Sequence, residues 1–392
     1  MKIAAVIAEY NPFHNGHAAQ LETLKNKLGA ESVLVIMSGD FVQRGEAAIA
    51  DKASRTRMAL EAGADLVIEL PPPWATGSAE RFAKGAVRQA EACGCVDTLA
   101  FGASCPDAAR LGALAEVLGQ EERLQSTLRD GLKNGLSYPA ASAAALEEID
   151  PEGAALLRDP NNLLGVEYIK ALRETGSGIR PLPLERLGSP HGAAALPAEG
   201  FASAGAIRTA LRQGAKPEEL SRFLPESTIR ALDRPLFSDD FSAALSAGLL
   251  QLAEDGPEAF LPFADSAPEL AARLMTLKPY ALRFSELVQR LRTKAFTEAR
   301  IRRFLIHILL GIRKEDQMKD PEAIRILGLR QDSDLPALLK KQARLPLITK
   351  TADVPPALLR PYVYPHHLYC QQVYFRYGAS LPDEYRQSPV VL

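Results

Sequence analysis

Two histidines near the start of the chain stand at a spacing that suits phosphate chemistry. His14 and His17 bracket Gly16 in the run 11–17, which reads NPFHNGH. An apolar segment at 3–9 precedes them and is typical of a buried parallel strand, and a helical pattern follows. A strand, a tight turn and a helix N-terminus together present backbone N–H groups and the positive end of the helix dipole. The pattern predicts an anion site that both imidazoles face, with Gly16 leaving room for a base or phosphate.

The alternative interpretation is that these histidines are structural. Two histidines within four residues arise by chance, and a lone histidine more often only satisfies a local hydrogen bond. Here, however, the motif follows directly on the first apolar strand. Its position and its residue types therefore agree, which favours the functional interpretation.

The elements that would position this site alternate between strand and helix. Apolar runs at 32–37, 65–70 and 96–102 predict three further strands, with helices at 51–63 and 79–92 between them. This alternation indicates an α/β fold with a Rossmann-like parallel sheet, right-handed crossovers and a site at the carboxyl ends of the strands. In the helix at 51–63, we expect Ala53, Met58 and Ala59 to face the core.

The remainder of the chain is predicted to be mainly helical. The segment 106–149 is a helical insertion, 163–172 and 297–312 are further helices, and Ser203 is the N-cap of another. Short strands are predicted at 181–187, 324–327 and 346–349. A change of pattern near residue 236 predicts a nucleotide-binding catalytic domain over 1–235 and a mostly α-helical domain over 236–392.

Composition excludes several classes of protein. The 392 residues carry a net charge of −2, and no run of about 18 apolar residues predicts a membrane span. The first strand starts at residue 3 without a cleavable hydrophobic leader, so we expect a cytoplasmic protein. The cysteines lack the spacing of zinc ligands, and no protein metal site is predicted. They are Cys93, Cys95, Cys105 and Cys370.

Six motifs together resemble one enzyme family. They are NPFHNGH at 11–17, MSGDFVQRGE at 37–46, LVIELP at 66–71, FGAS at 101–104, PNNLLG at 160–165 and TKAFTEARIRR at 293–303. With them the chain resembles the bacterial tRNA(Met) cytidine acetate ligase family, a branch of the H-x-G-H nucleotidyltransferase superfamily. The resemblance implies a nucleotidyltransferase sheet and two ATP-dependent steps. Acetate would attack the α-phosphate of ATP, and the acetyl group would then pass to the exocyclic amine of the wobble cytidine in elongator tRNA(Met), which lies in a single-stranded loop.

The resemblance also assigns an ATP site. His14 and His17 would be catalytic, because they would hydrogen-bond phosphate oxygens as pyrophosphate leaves. The implied ATP-binding run is Ile7, Ala8, Glu9, Tyr10, Asn11, Pro12, Phe13, His14, Asn15, Gly16, His17, Ala18, Ala19 and Gln20. Gly102 would lie against adenosine, Asn161 would donate to the nucleotide, and Arg186 would meet a phosphate or the adenine edge. A strand end, a helix cap and a surface ion pair are the structural alternatives for these three. The choice of Asn161 over Asn162 depends on the resemblance alone.

Six further polar residues are candidate substrate or phosphate contacts, namely Asp40, Gln43, Arg44, Lys52, Ser203 and Arg208. The first four follow the second strand, where acetate, magnesium or tRNA could bind, or where they could be loop structure and solvated charge. Related transferases carry hydroxyl residues where Gly205 and Ala206 stand here, so Ser203 and Arg208 would hold phosphate together with backbone N–H groups. Mg²⁺ is expected to accompany ATP, although no protein ligand set is visible.

Positive charge is concentrated late in the chain, where 271–320 contains twelve Lys and Arg against five Asp and Glu. Such a segment on an otherwise acidic chain fits tRNA as a partner, although a solvated helix face is the commoner explanation of a charge run. The predicted tRNA contacts are Arg290, Arg292, Lys294, Arg300, Arg302, Arg303 and Arg313. Two other functions stay open. One is an adenylyl- or cytidylyltransferase acting on a small phosphorylated metabolite, and the other is a non-catalytic tRNA-binding protein that uses nucleotide as a structural ligand.

Overall fold

The computed structural model describes residues 2–120, 122–134, 136, 138–147, 149–186, 195–351 and 354–392. Its strands are β1 (Ile3–Ala8), β2 (Ser32–Ser38), β3 (Phe41–Val42), β4 (Glu46–Ala47), β5 (Leu66–Leu70), β6 (Thr98–Ala103), β7 (Arg180–Glu185), β8 (Ile324–Leu329), β9 (Leu347–Ile348) and β10 (Val390–Val391). Its first helices are α1 (Asn15–Glu22), α2 (Lys52–Glu61), α3 (Pro72–Ala75), α4 (Ala79–Cys93), α5 (Ala108–Gln120), α6 (Glu122–Lys133), α7 (Tyr138–Leu146), α8 (Pro151–Leu157) and α9 (Pro160–Glu174). The later helices are α10 (Ala204–Arg212), α11 (Glu226–Ala231), α12 (Ser242–Ala253), α13 (Pro268–Met275), α14 (Phe284–Leu291), α15 (Glu298–Leu310), α16 (Leu335–Gln342) and α17 (Pro356–Tyr377).

One large sheet organises these elements, with the strand order β10-β8-β5-β2-β1-β6-β7 and with β9 paired to β8. Strands β1, β2, β5, β6 and β7 are mutually parallel, which confirms the predicted Rossmann-like sheet. Strand β8 joins antiparallel to β5. The strand predicted at 324–327 therefore completes the same sheet, although it comes from the segment predicted as the second domain.

Helices cover both faces of the sheet. Alternate residues of the central strands point to opposite sides, so Ala5 and Leu34 contribute to one buried cluster and Ala4 and Val33 to the other. Helices α4, α5 and α9 supply the first cluster, and α1, α2 and α10 supply the second. Because both faces are buried, the strands are nearly continuous apolar runs in the sequence.

A third buried cluster lies in the helical region and includes residues of α12 to α15 and α17. It also takes Phe41 and Ala47 from the small hairpin β3–β4. At the hairpin tip Gly45 has a φ of +70°, and a Cβ atom there would lie 2.3 Å from the backbone nitrogen of Arg303 on α15. The hairpin thus joins the sheet to the helical region, and the domain boundary at residue 235 stays a prediction.

Local signals placed several helix starts correctly. Ser203 caps α10 by accepting from the Ala206 N–H at 3.1 Å, as predicted. The expected core face of α2 was partly wrong, because Ala53 is only half-buried while Lys52 and Arg55 are fully buried beside Met58. The strand predicted at 181–187 is β7, and residue 187 lies outside the described residues. Within the described ranges, no helix has the length and apolar character needed to cross a membrane.

Candidate active site

The predicted site lies where the chain connections diverge to opposite sides of the sheet. From β1 the chain continues to β2 on one side, whereas β6 lies on the other side of β1. In α/β folds, ligands bind outside the carboxyl ends of the strands at such a switch point. The histidine motif follows β1, Gly102 lies at the end of β6, and Arg186 directly follows β7. The register pairs Val6 with Ala100 and Ala103 with Glu185, so these three strands end at one edge.

The two histidines form a stacked pair at the N-terminus of α1. Their ring centroids are 3.7 Å apart, with 18° between the planes. The Nδ1 of His14 accepts from the Gly16 N–H at 3.1 Å, and the Nδ1 of His17 accepts from the His14 N–H at 3.3 Å. Since each Nδ1 is an acceptor, these hydrogen bonds assign the proton of each neutral ring to Nε2. The pair therefore carries two Nε2–H donors.

Both imidazoles are held neutral. Burial, reinforced by the charge of Arg186, lowers the pKa of His14 to about 4. Burial, then His14 and then Arg186 lower the pKa of His17 well below its ordinary value. A neutral imidazole that donates from Nε2 can hydrogen-bond a phosphate oxygen without adding a charge.

Gly16 packs closely against the His14 ring. A Cβ atom at this position would lie 3.0 Å from Cε1 and 3.1 Å from Nδ1 of the His14 ring. The side of Gly16 that a Cβ atom would take is therefore filled by His14, and the approach of a base or phosphate to Gly16 stays a prediction. The glycine allows His14 to fold back over the first turn of α1.

The implied ATP-binding run divides into a buried part and an open part. Tyr10, Asn11, Pro12 and Phe13 are buried, whereas every residue from 14 to 20 is half-buried. The rings of Tyr10 and Phe13 lie 4.9 and 5.5 Å from that of His17. The buried residues thus support the histidine pair from behind, and the first turns of α1 form the accessible part.

A half-buried carboxylate, that of Glu9, directly follows the first strand. The Oε1 of Glu9 accepts from the Gln43 N–H at 2.9 Å, and the Gln43 side chain donates to the Gly77 carbonyl at 3.2 Å. Burial raises the pKa of Glu9, although the charges of Arg44 and Arg208 oppose the increase. Arg44 is itself exposed. The structure therefore brings Gln43 and Arg44 next to the end of β1.

The two candidate asparagines at the start of α9 have different surroundings. Asn162 is 1% exposed, and its Oδ1 accepts from the N–H groups of Ser104 and Cys105, both at 3.0 Å. Its amide also donates to the Leu156 carbonyl at 3.1 Å. Asn161 is half-buried, and its amide donates to Asp159 at 3.1 Å. Asn162 thus fixes the loop after β6, which leaves Asn161 as the better candidate for a nucleotide contact.

Gly102 lies in β6 just before this loop, and Arg186 directly follows the neighbouring strand β7. A Cβ atom on Gly102 would meet nothing within 4 Å, so open space adjoins the strand there. The backbone N–H of Arg186 donates to the Ala103 carbonyl at 3.1 Å. Burial lowers the pKa of Arg186, Asp159 opposes this and Arg44 adds to it. The charge of Arg186 also lowers the pKa of both histidines. The structure therefore brings Arg186, Arg44 and the histidine pair close together.

Two of the candidate contacts, Asp40 and Lys52, are wholly enclosed. The Lys52 ammonium pairs with Glu69 at 2.9 Å and with Glu384 at 2.6 Å, and all three side chains are at most 2% exposed. Burial alone would lower the pKa of Lys52, but Glu69, Glu384 and Asp40 raise it above its ordinary value. Arg325 of β8 completes this cluster by donating to Glu384 at 3.0 Å. The cluster joins the N-terminal sheet to the last residues of the chain.

Asp40 binds a histidine of α17. Its Oδ2 accepts from Nδ1 of His366 at 2.7 Å, and its Oδ1 accepts from the Lys52 N–H at 3.1 Å. The Nε2 of His366 lies 3.0 Å from the Pro382 carbonyl, so both ring nitrogens donate and the ring is charged. Burial by itself would raise the pKa of Asp40 and lower that of His366. The attraction between their opposite charges outweighs burial, so the pKa of Asp40 is lowered to about 2 and that of His366 is raised to about 11.

This pair gives the free energy of unfolding a defined pH dependence. Because the pKa of His366 is raised, its contribution is fully present below 6.5 and is lost as the pH rises towards 11. The depressed pKa of Asp40 affects the free energy of unfolding only at low pH. The stabilisation that Asp40 contributes is present above pH 3.8 and is lost as the pH falls through about 2. Between about pH 7 and 10 the free energy of unfolding of the wild type should fall by up to ~1.4 kcal/mol per pH unit relative to that of His366→Gln. Urea unfolding of both proteins at several pH values measures this difference, and parallel profiles would contradict it.

Sequence reasoning missed one residue at this edge, Arg55 of α2. Its guanidinium is 0% exposed and donates to the Glu9 carbonyl at 2.7 Å, to the Ser38 carbonyl at 2.9 Å and to the Gly39 carbonyl. These carbonyls end β1 and β2. No spacing or motif in the sequence identifies Arg55, since its acceptors are backbone atoms. It positions the turn that leads into the histidine motif.

The remaining candidates form a chain of ion pairs that leads away from the histidines. Arg208 donates to the Asn11 carbonyl at 2.6 Å and pairs with Glu46 at 3.1 Å. Glu46 in turn lies 3.5 Å from Arg302 of α15. Ser203 is buried as the cap of α10. The histidine turn is thus connected through the hairpin to the helical region.

The basic segment divides into exposed and paired residues. Arg290, Arg292, Lys294 and Arg313 are exposed. Arg302 pairs with Glu298 at 2.7 Å, and Arg303 pairs with Asp265 at 2.8 Å. Arg300 donates to the Asp265 carbonyl at 3.2 Å. The structure therefore does not present all seven predicted tRNA contacts on an open surface, because the three on α15 have partners within the protein.

Comparison with known proteins agrees with this geometry. A model of the HIGH nucleotidyl transferase family matches residues 1–380. A tRNA(Met) cytidine acetate ligase of Acetivibrio thermocellus is 36% identical over 373 residues, which cover 90% of this chain and 89% of the relative. One of Lysinibacillus sphaericus is 33% identical over the full length of both chains. A crystal structure of Thermotoga maritima TmcAL bound with alpha-thio ATP matches with a TM-score of 0.89 and 29% identity over all of both chains.

The fold and the histidine site thus define a nucleotidyl transferase of the HIGH class. Within that class, the chain belongs to the tRNA(Met) cytidine acetate ligase family. The predicted family and fold are confirmed by these matches. The individual substrate-contacting residues stay predictions.

Proposed function

We propose that the protein activates acetate with ATP and transfers the acetyl group to the wobble cytidine of elongator tRNA(Met), forming N4-acetylcytidine. The observation that supports this most directly is the stacked pair of neutral, Nε2-donating imidazoles at the N-terminus of α1. Arg186 and the open space beside Gly102 adjoin the pair at the switch point of the sheet. Family membership supports the same reaction.

The first step forms acetyl-adenylate. A carboxylate oxygen of acetate attacks the α-phosphorus of ATP, and the bond from that phosphorus to the bridging oxygen of pyrophosphate breaks. No proton is consumed, so the protein mainly aligns the reactants and stabilises charge. The Nε2–H groups of His14 and His17, with the backbone N–H groups of α1, would hydrogen-bond the phosphate oxygens as charge builds on pyrophosphate. Arg186 would neutralise part of that charge.

The second step uses RNA as the acceptor. The exocyclic amine of cytidine attacks the acetyl carbonyl, the amine loses a proton, and AMP leaves with the bonding electron pair. The target base lies in a single-stranded loop and needs no duplex opening. The exposed Arg290, Arg292, Lys294 and Arg313 are the best placed of the predicted residues to contact the RNA backbone.

Mg²⁺ would enter with ATP rather than through a protein cage. Across the residues that the structure describes, no group of three or more His, Cys, Asp or Glu side chains could hold a metal ion. Mg²⁺ commonly retains several waters and takes its remaining ligands from substrate phosphates. We therefore expect the phosphates of ATP to supply most of the ligands of Mg²⁺.

One assay tests the proposal. The protein is incubated with ATP and labelled acetate, with and without tRNA(Met), and label on the RNA is measured together with released pyrophosphate. We expect label on tRNA(Met) and one pyrophosphate per acetyl group. Pyrophosphate release only with a small phosphorylated metabolite would instead indicate the metabolite transferase. ATP binding without turnover would indicate the non-catalytic tRNA-binding protein.

A further inference from the structure

Helix α17 carries one face built from exposed aromatic rings. Tyr364, Tyr374 and Phe375 are 53%, 56% and 69% exposed, although large rings are usually buried. At ~100° per residue these positions and His367 lie within about a third of the helix circumference. Tyr385, 51% exposed, lies beside His367 with ring centroids 6.0 Å apart. We call these three exposed rings, the exposed Tyr385 and the half-buried His367 the α17 aromatic face.

The opposite side of α17 is tied to the catalytic edge of the sheet. His366 donates to Asp40, which directly follows β2, at 2.7 Å. The Tyr369 hydroxyl donates to the Ala48 carbonyl at 2.9 Å, just beyond the β3–β4 hairpin. Strand β2 is the neighbour of β1, which carries the histidine pair. Helix α17 is therefore held at the edge of the sheet that carries the site of chemistry, and the α17 aromatic face lies on the side of the helix turned away from Asp40.

The composition of α17 suits nucleic acid. Residues 356–378 contain no Asp or Glu, and six of the ten tyrosines of the chain lie in 362–385. Arg360 is exposed and has the same angular position as the rings. Exposed rings beside a cation, on a helix without acidic residues, suit stacking on unpaired bases while the arginine meets phosphate. Asp383, which accepts from the Tyr385 N–H at 2.9 Å, is the acidic residue next to Tyr385. A protein packed on this surface would have to supply a carboxylate for Arg360, whereas a nucleic acid carries phosphates along its whole length.

We propose that the α17 aromatic face binds the single-stranded loop of the RNA that carries the target cytidine, by stacking on its unpaired bases. This deepens the proposed function and rests on it, because an RNA acceptor is needed. Stacking is tolerant of sequence, since every base has a π face. The face thus holds the loop on a helix that is anchored at the catalytic edge, while base identity is read elsewhere.

The double variant Tyr374→Ser/Phe375→Ser tests this. It should bind tRNA(Met) about tenfold or more weakly, with the same loss for an isolated anticodon stem-loop. The slope of log affinity against log salt should not change, because no phosphate-neutralising charge is removed, whereas Arg360→Gln should reduce that slope by about one. Tyr374→Phe should bind like the wild type, since the ring is kept. Leu250→Ser, at an exposed apolar position of α12, is the matched control and should bind normally.

Three results would overturn the proposal. The first is an affinity of the double variant within about twofold of the wild type. The second is an equal loss in Leu250→Ser. The third is self-association of the wild type that the double variant abolishes in sedimentation velocity, which would make the face an interface between copies. Acetyl transfer by the wild type separates the two proposals. If the wild type transfers no acetyl group to tRNA(Met), the proposed function is contradicted. If the wild type transfers acetyl and the double variant binds tRNA(Met) normally, only the role of the α17 aromatic face is contradicted.

Discussion

The variant His17→Ala is expected to reduce acetate-dependent exchange between ATP and pyrophosphate by roughly 100- to 1,000-fold, the usual effect of removing one preorganised donor to a developing anion. The stacked arrangement with His14 places the lost Nε2–H in the first turn of α1. ATP binding should weaken less than turnover, because the backbone N–H groups of α1 and the charge of Arg186 are unchanged. Exchange kinetics and ATP affinity, measured separately, test this difference.

Two controls accompany this measurement. Lys27→Ala changes an exposed residue in the helical turn that continues α1, and it should keep normal exchange. Thermal unfolding shows whether His17→Ala has kept its fold after loss of the contact with the His14 N–H. A folded His17→Ala protein with undiminished exchange would remove His17 from the catalytic role.

The second large effect concerns stability. The variant Lys52→Met should lower the free energy of unfolding by about 3–5 kcal/mol, because it leaves Glu69 and Glu384 buried without their shared cation. The methionine has a similar length, so packing changes little. Adding Glu69→Gln to Lys52→Met should recover part of the loss, since Glu69 is the carboxylate that loses its ion pair, whereas Glu384 keeps Arg325 at 3.0 Å. Urea unfolding of the wild type, both single variants and the double variant measures the coupling.

An exposed ion pair provides the comparison for Lys52→Met. Arg330 pairs with Asp332 at 2.8 Å, and their side chains are 33% and 69% exposed. Arg330→Met should therefore change the free energy of unfolding by less than about 1 kcal/mol. A similarly small change in the free energy of unfolding of Lys52→Met would mean that water reaches the Lys52 cluster and that the cluster does not stabilise the sheet.

Much of the parallel sheet could be predicted because burial on both faces leaves a local signature. Strand β2 is an apolar run between Ser32 and Ser38, and β5 is apolar except for Glu69; each is followed by residues that stop a strand. The histidine motif was also readable, since its chemistry, the preceding strand and the following helix lie within some 20 residues. Asn161 and Arg186 came from the family resemblance, because spacing alone does not relate them to His14.

The buried charges could not be predicted, because their partners are remote in the chain. Lys52 and Glu384 are 332 residues apart, and His366 and Asp40 are 326 apart. Periodicity reports which face of one helix or strand is apolar and contains no information on such pairs. Arg302 and Arg303 resembled a solvated or RNA-binding run for the same reason, since the acceptors Glu46 and Asp265 come from other elements.

The antiparallel strand β8 and the ion pairs of Glu384 have a consequence for synthesis on the ribosome. Strand β5 leaves the ribosome long before residues 324–329, which form the strand that covers the edge of β5. Lys52 and Glu69 likewise precede Glu384 by more than 300 residues. At ~5–20 residues per second this interval lasts roughly 15 to 60 s. During that time the nascent chain has an open strand edge and an incomplete set of interior charges, so the N-terminal sheet reaches its final form only after translation is nearly finished.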